Sequence, residues 1–246
     1  MKRAVELFAL EARSSRSPLV ARTWWARSEP EGSFISVAAT HWEMVVTRQR
    51  GAARLTVRGP ETRATAMPIP QDAAFFGIEF SPGSFMPDLP PGRLVDRALT
   101  LPRVSDRSFW FDGSAWELPR PDNADVFVDR LARAGLLVHD PIVAEALHGT
   151  VAGLSTRSVE RRVARGTGLT RGAIERIRRA ERAVDLLAWG ATPSDTARRT
   201  GYADQSHLTR SLKRFVGQTP SQIATSKAGS QPGVVADVQD GRSGRG

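Results

Sequence analysis

Cysteine is absent from the 246 residues of this chain. That excludes a disulfide framework, a thiol sensor and any zinc site built on thiolates. No apolar run reaches membrane-spanning length, and Glu6, Glu11 and Arg13 interrupt the only stretch that could form a signal-peptide core. A soluble, cytoplasmic protein with no membrane partner is expected. Catalytic signatures are missing as well: there is no G-x-S-x-G elbow, no H-E-x-x-H and no phosphate loop ending in Gly-Lys. Gly166, Gly168 and Gly172 have the wrong spacing for a dinucleotide loop and lie between helical stretches rather than after a strand. Ser206 and His207 are neighbours in one helical stretch, so their side chains diverge and cannot serve as nucleophile and base. Histidine is scarce, with four in all and only His41 in the first 120 residues. A metal cluster needing several imidazoles cannot be assembled there. No catalytic residue, metal or cofactor is expected, and the chain is expected not to be an enzyme.

Lysine is nearly absent, at three (Lys2, Lys213 and Lys227) of 35 basic residues. A GC-rich genome that favours arginine codons accounts for most of that bias, and arginine is also the better bidentate reader of planar groups. The charge is unevenly placed. Residues 1–125 hold 16 basic against 15 acidic residues, whereas residues 126–226 hold 16 against 9 and carry most of the net +9. Such a one-sided excess is the footprint of a phosphate-binding surface.

The basic half carries a readable pattern. From Gly201 to Ile223 the sequence GYADQSHLTRSLKRFVGQTPSQI spells a glycine turn, an Asp204 cap, an amphipathic basic helix and a second cap at Thr219. Leu208, Leu212 and Phe215 recur at helical spacing and form the buried face, which leaves Gln205, Ser206, His207, Arg210, Lys213 and Arg214 outside. Glutamine and arginine can read base edges in a major groove, while lysine and arginine hold phosphates. Upstream, Thr192 caps a short helix with Pro193 at its first position, completing a helix-turn-helix layout. A second copy precedes it: Ser155 caps a helix to about Arg165, with Val159 and Val163 inward and Arg157, Glu160, Arg161, Arg162 and Arg165 elsewhere. Between the copies, Thr170 to about Trp189 reads as one long helix striped by Ala173, Ile177, Ala180, Val184 and Leu187. At about 1.5 Å per residue it spans roughly 28 Å, comparable with the ~34 Å between successive major grooves on one face of B-DNA.

Residues 123–226 resemble the DNA-binding domain of AraC/XylS-type bacterial transcription regulators. The resemblance rests on Gly201, Tyr202, Asp204, Ser206, Leu208, Arg210, Lys213, Gly217, Thr219 and Pro220, with an echo in Leu154, Ser155, Arg157, Val159, Arg161 and Gly168. It implies two helix-turn-helix units on a linker helix. Arg157, Glu160 and Arg161 would face bases in the first unit, and Gln205, Ser206, His207 and Arg210 in the second. Two positions depart from the pattern: Val163 stands where the family usually has Phe, and Gly149 where it has a small Ala. His148, Gly149 and Thr150 should therefore interrupt the helix before the first reading helix, since glycine inside a helix costs up to about 1 kcal/mol relative to alanine.

The first 120 residues are of another kind. Short apolar runs separated by Pro and Gly (Leu19–Trp25, Ser33–Ala39, Trp42–Val46, Ala53–Val57, Ala64–Ile69 and Ala74–Phe80) predict strands of an antiparallel β domain. Arg93–Leu99 is expected to form a short helix, and Phe109–Trp116 fits either strand or helix. Five of the six tryptophans lie here, lining a pocket or filling a core.

The resemblance places a cupin-like sensor or dimerisation domain at this position. The whole therefore reads as α+β: a β-rich domain over 1–120, a DNA-binding domain over 121–226 and a disordered, Gly- and Ser-rich tail over 227–246. The expected partner is double-stranded DNA in its major groove, with a small-molecule effector, a homodimer partner and, for an activator, RNA polymerase as further candidates. Two alternatives stay open: a constitutive regulator whose β domain only dimerises, and an enzyme fused to a DNA-binding module.

Overall fold

In the computed structural model, residues 9–29, 31–149, 151–225 and 234–236 are described. The β-rich half holds β1 (Ala9–Arg13), β2 (Val20–Ser28), β3 (Gly32–Ser36), β4 (Glu43–Gln49), β5 (Ala52–Arg58), β6 (Thr65–Ile69), β7 (Ala73–Phe80) and β8 (Ser84–Phe85). After a 3₁₀ turn at Pro91–Arg93 come β9 (Ala98–Thr100), β10 (Arg103–Ser105), β11 (Ser108–Phe111) and β12 (Ser114–Glu117). A six-stranded antiparallel sheet runs in the order β1-β2-β7-β4-β5-β9. All six expected strands are present. The helix expected over Arg93–Leu99 is replaced by the 3₁₀ turn, a left-handed Asp96 and the edge strand β9, which gains its hydrogen bonds from β5 rather than from residues of its own segment. Phe109–Trp116 resolves into the β11–β12 hairpin.

Period-2 alternation explains the packing. Ala53, Leu55 and Val57 of β5 meet Met44 and Val46 of β4 and Phe76, Ile78 and Phe80 of β7 in one core. Trp42 stacks flat on Phe80 within it, with ring centroids 3.9 Å apart. On the opposite face Trp24, Ala26 and Val45 form a smaller cluster. Trp24 lies across its cross-strand partner Gly77, where a Cβ would come within 2.0 Å of the indole. Only glycine leaves room for that ring.

The helical half holds α1 (Ala124–Arg133), a short strand β13 (Val138–His139), α2 (Pro141–His148), α3 (Thr156–Thr167), α4 (Arg171–Ala188), α5 (Pro193–Thr200), α6 (Gln205–Phe215) and α7 (Pro220–Thr225). The caps sit where the sequence places them. Ser155, Thr170, Thr192 and Asp204 each accept a backbone N–H from their helix's first turn. Thr219 and Gln222 bond reciprocally as a capping box.

The hydrophobic core of the β half runs past residue 120. Phe127, Val128 and Leu131 of α1 pack into the β-half core, Phe127 edge-on to Phe109, and β13 pairs with β8. Among the helices, the second core begins only at Val143. The two cores therefore divide near Asp140, well past residue 120, because the apolar face of α1 finds its complement on the β side. The tail expected over 227–246 lies outside the described residues except for β14 (Val234–Ala236), which pairs antiparallel with β3 and so is strand rather than disordered chain. The β3 edge offers unpaired backbone groups that a β-branched Val-Val segment can satisfy.

The halves meet closely. Ala38 packs with the helical core. Its N–H donates to the Phe215 carbonyl at 2.7 Å, while the Ala64 N–H donates to the Arg214 carbonyl at 2.7 Å. Gly168, left-handed at the end of α3, lies so close to Pro91 and Gly92 that a Cβ would fall 2.7 Å from their backbone atoms.

Candidate nucleic-acid interface

The two reading helices are built by the same rule: an oxygen cap fixes the start and two or three large apolar residues anchor one side. In α6, Leu208 and Leu212 are fully buried and Phe215 nearly so. Gln205, Ser206, His207, Arg210, Lys213 and Arg214 are all exposed on the remaining surface. Gly201 ends α5 with φ 74° and turns the chain directly into the Asp204 cap, so α5 and α6 form one helix-turn-helix unit. In α3, Val159 and Val163 are buried while Arg157, Glu160, Arg161 and Arg165 are exposed. The helix before it, α2, ends at His148 with Gly149 as its cap, and a loop leads to Ser155, as the glycine implied. Between the units, α4 is an 18-residue rod, about 27 Å long.

Residues 149–226 match the family described as helix-turn-helix domain. Residues 149–226, about a third of the chain, are a helix-turn-helix domain.

Among relatives of this chain, the HTH-type transcriptional regulator RipA of Corynebacterium glutamicum is 31% identical over 123 residues. That match covers 44% of this chain and 37% of RipA, so the chain spans well under half of that relative's length. Solved structures of ToxT from Vibrio cholerae align over 91% of this chain and 100% of ToxT at 9% identity and a TM-score of 0.40. A ToxT structure bound to (E)-4-(8-methylnaphthalen-1-yl)but-3-enoic acid aligns over 89% of this chain and 98% of ToxT, also at 9% identity and a TM-score of 0.40.

Within the helix-turn-helix domain, not every expected contact residue is equally free. Arg162 forms a 2.7 Å ion pair with Asp140, which also accepts the Ile142 N–H and so caps α2. Arg165 lies over the Phe85 ring, 5.1 Å from its centroid. Both turn toward neighbouring elements, whereas the exposed Arg157 and Arg161 have no ion pair among the described residues. Arg161→Ala is therefore expected to lower the slope of log affinity against log salt by about one. Arg162→Ala should change that slope much less while lowering the melting temperature. Fluorescence anisotropy across a salt series measures both. Equal losses of slope would mean that the Arg162–Asp140 pair opens on DNA.

A feature the sequence did not expose lies between the linker and the second reading helix. Arg176 and Arg179 of α4 face Arg210 and Arg214 of α6 across a cleft of about 300 Å³. The Tyr202 and Ser211 hydroxyls, 2.8 Å apart, lie in its wall. Arg176 and Arg179 share a face at i,i+3 spacing, but only the packing of α4 on α6 shows what that face meets.

The β half also holds a polar cluster that the count of histidines did not anticipate. Glu43 and Glu79 are cross-strand partners, and His41 comes beside them, so that each of the three places a ligand atom within 4.8 Å of the others. This geometry could accept a cation. Arg22 already bonds Glu79 at 2.7 Å, Arg58 lies 3.5 Å from Glu43, and the Trp24 indole N–H donates to Glu43. The hydrogen bond to Glu79 raises the Arg22 pKa further above its ordinary value. For Arg58, burial pulls downward, but the charges of Glu43 and Glu61 outweigh it and the net direction is upward. The carboxylates thus have guanidinium partners, and His41 sits in an ion network. Among the described residues no helix is long and apolar enough to cross a membrane.

Proposed function

We propose that this protein is a sequence-specific DNA-binding transcription regulator acting in the cytoplasm, with residues up to about Asp140 as its regulatory half and the helices from α2 onward as its DNA-binding half. The observation that carries the reading is the pair of capped helices, α3 and α6, each anchored on one side and basic on the other, joined by α4. Two such helices at the ends of one rod can enter successive major grooves on the same face of a duplex. In the second unit Gln205 and Arg210 read base edges, with Ser206 and His207 beside them, while Lys213 and Arg214 hold phosphates. In the first unit Arg157, Glu160 and Arg161 face bases.

Substitution tests this assignment. Gln205→Ala and Arg210→Ala should each weaken specific binding by about 1–3 kcal/mol and relax preference at one or two base positions. Competition assays against randomised duplexes report both effects. An equal loss on specific and random DNA would move these residues to the phosphates.

The β half fits an effector-responsive role because its backbone bonds directly to the end of α6, at Phe215 and Arg214. A small molecule that shifts the Ala38 or Ala64 loop would shift the reading helix with it. Thermal-shift screening of the full chain against metabolites tests this: a stabilising compound that also changes DNA affinity supports it, and stabilisation without such a change speaks for a constitutive regulator. A homodimer contact, and RNA polymerase as partner if the protein activates, belong to the same proposal.

A further inference from the structure

We propose that Arg176 and Arg179 of the linker helix join Arg214 in clamping the DNA backbone that flanks the bases read by Arg210 of α6. This rests on the DNA-binding reading above and adds to it two residues of α4 outside both reading helices.

Four guanidinium groups line one cleft, and among the described residues none of them has an acidic partner within 4 Å. That is costly without an anion. Like charges gathered on two packed helices repel, and the ordinary remedy in a folded protein is a nearby carboxylate. Some other guanidiniums of this chain have one, as Arg22, Arg58, Arg120 and Arg162 are each paired with an acid; the cleft differs in gathering four without one. The cleft is therefore a place where positive charge is kept in reserve.

The geometry favours oxygens of phosphate. Guanidinium groups present N–H pairs in a plane that matches two phosphate oxygens, and the hydroxyl pair of Tyr202 and Ser211 adds a neutral donor. Arg179 is steadied by the Tyr202 ring, with its Cζ 5.7 Å from the centroid, and Arg214 by Phe215 at 5.3 Å. Held guanidiniums lose less freedom on binding than free ones. Position selects the DNA backbone over a free anion. Arg210 and Arg214 are exposed one turn apart on the outward side of α6, so a duplex whose bases meet Arg210 brings its sugar-phosphate chain over the cleft.

The experiment uses the full chain with its preferred duplex, in the variants Arg176→Gln, Arg179→Gln and Arg179→Lys, with Arg133→Gln on α1 as a control for charge loss elsewhere. Each Gln variant is expected to reduce the salt slope by about one, leaving base preference unaltered. Arg179→Lys should keep the slope because it keeps the charge, and Arg133→Gln should keep it too. Melting curves confirm that each variant folds. A second arm compares inorganic phosphate with chloride at matched ionic strength, without DNA. Unchanged slopes in both Gln variants, with wild-type binding intact, overturn the clamp and leave the DNA reading standing. Phosphate stabilisation lost in the Gln variants, together with unchanged slopes, would assign the cleft to a free anion and overturn the proposal. A wild-type chain with no affinity for any duplex overturns both readings.

Discussion

Leu212→Ala is expected to destabilise the protein by about 2–5 kcal/mol, read as a lower urea midpoint by circular dichroism. Leu212 is fully buried, and it shares the second core with Leu208, Phe215 and residues of the linker helix. Its carbonyl also accepts the N–H groups of Val216 and Gly217, which turn the chain out of α6. Truncation opens a cavity in a core shared by α4, α5, α6 and α7, and the caps that hold the starts of these helices limit how far they can move in to refill it. DNA affinity should fall with it, because this side chain sets the angle at which Arg210 and Gln205 are presented. A loss below about 1 kcal/mol would mean that the site collapses around the cavity and that α6 is held mainly by other contacts.

Trp42→Ala should have an effect at least as large, about 3–5 kcal/mol for the lost aromatic packing. Trp42 is 4% exposed and stacked on Phe80. Its indole N–H donates to the Ser84 carbonyl at 2.6 Å, and that buried acceptor would lose its partner. Ser84 begins the short strand that pairs with β13, so the damage falls beside the joint between the halves. Unfolding followed by tryptophan fluorescence and by helical ellipticity should show a shared, lowered transition if the joint transmits it. Two separated transitions, with only the fluorescence signal shifted, would show that the cores at Val46 and Leu212 unfold independently.

Much of this architecture was legible in the residues because its signals are local. The helices after α2 announce themselves through Ser155, Thr170, Thr192, Asp204 and Thr219, each an oxygen followed by apolar positions, and those caps are observed. The longer strands are bounded by Pro and Gly and alternate cleanly. What escaped depends on distant partners. β9 is three residues long and exists because Val57 and its neighbours pair with it. The membership of α1 in the β-half core is decided by Phe109 and Leu118, which no helical periodicity mentions. In the candidate interface, the exposed residues of α3 and α6 followed from spacing alone. The recruitment of Arg162 by Asp140, and the meeting of Arg176 with Arg210 across a cleft, required knowing which helices pack. The juxtaposition of Glu43 and Glu79 is a matter of strand order, hidden in sequence by 35 intervening positions but direct in the sheet.

The bonds from Ala38 and Ala64 to the last carbonyls of α6 involve main-chain atoms alone. A link of that kind is indifferent to which side chains stand at either end, so substitutions can accumulate along both loops without cutting it. It would also pass unseen through an alanine scan, because the atoms that make the connection are those every scan leaves in place. These two bonds between the halves depend on the shape of the backbone, and related sequences could keep them while sharing none of the residues that flank them.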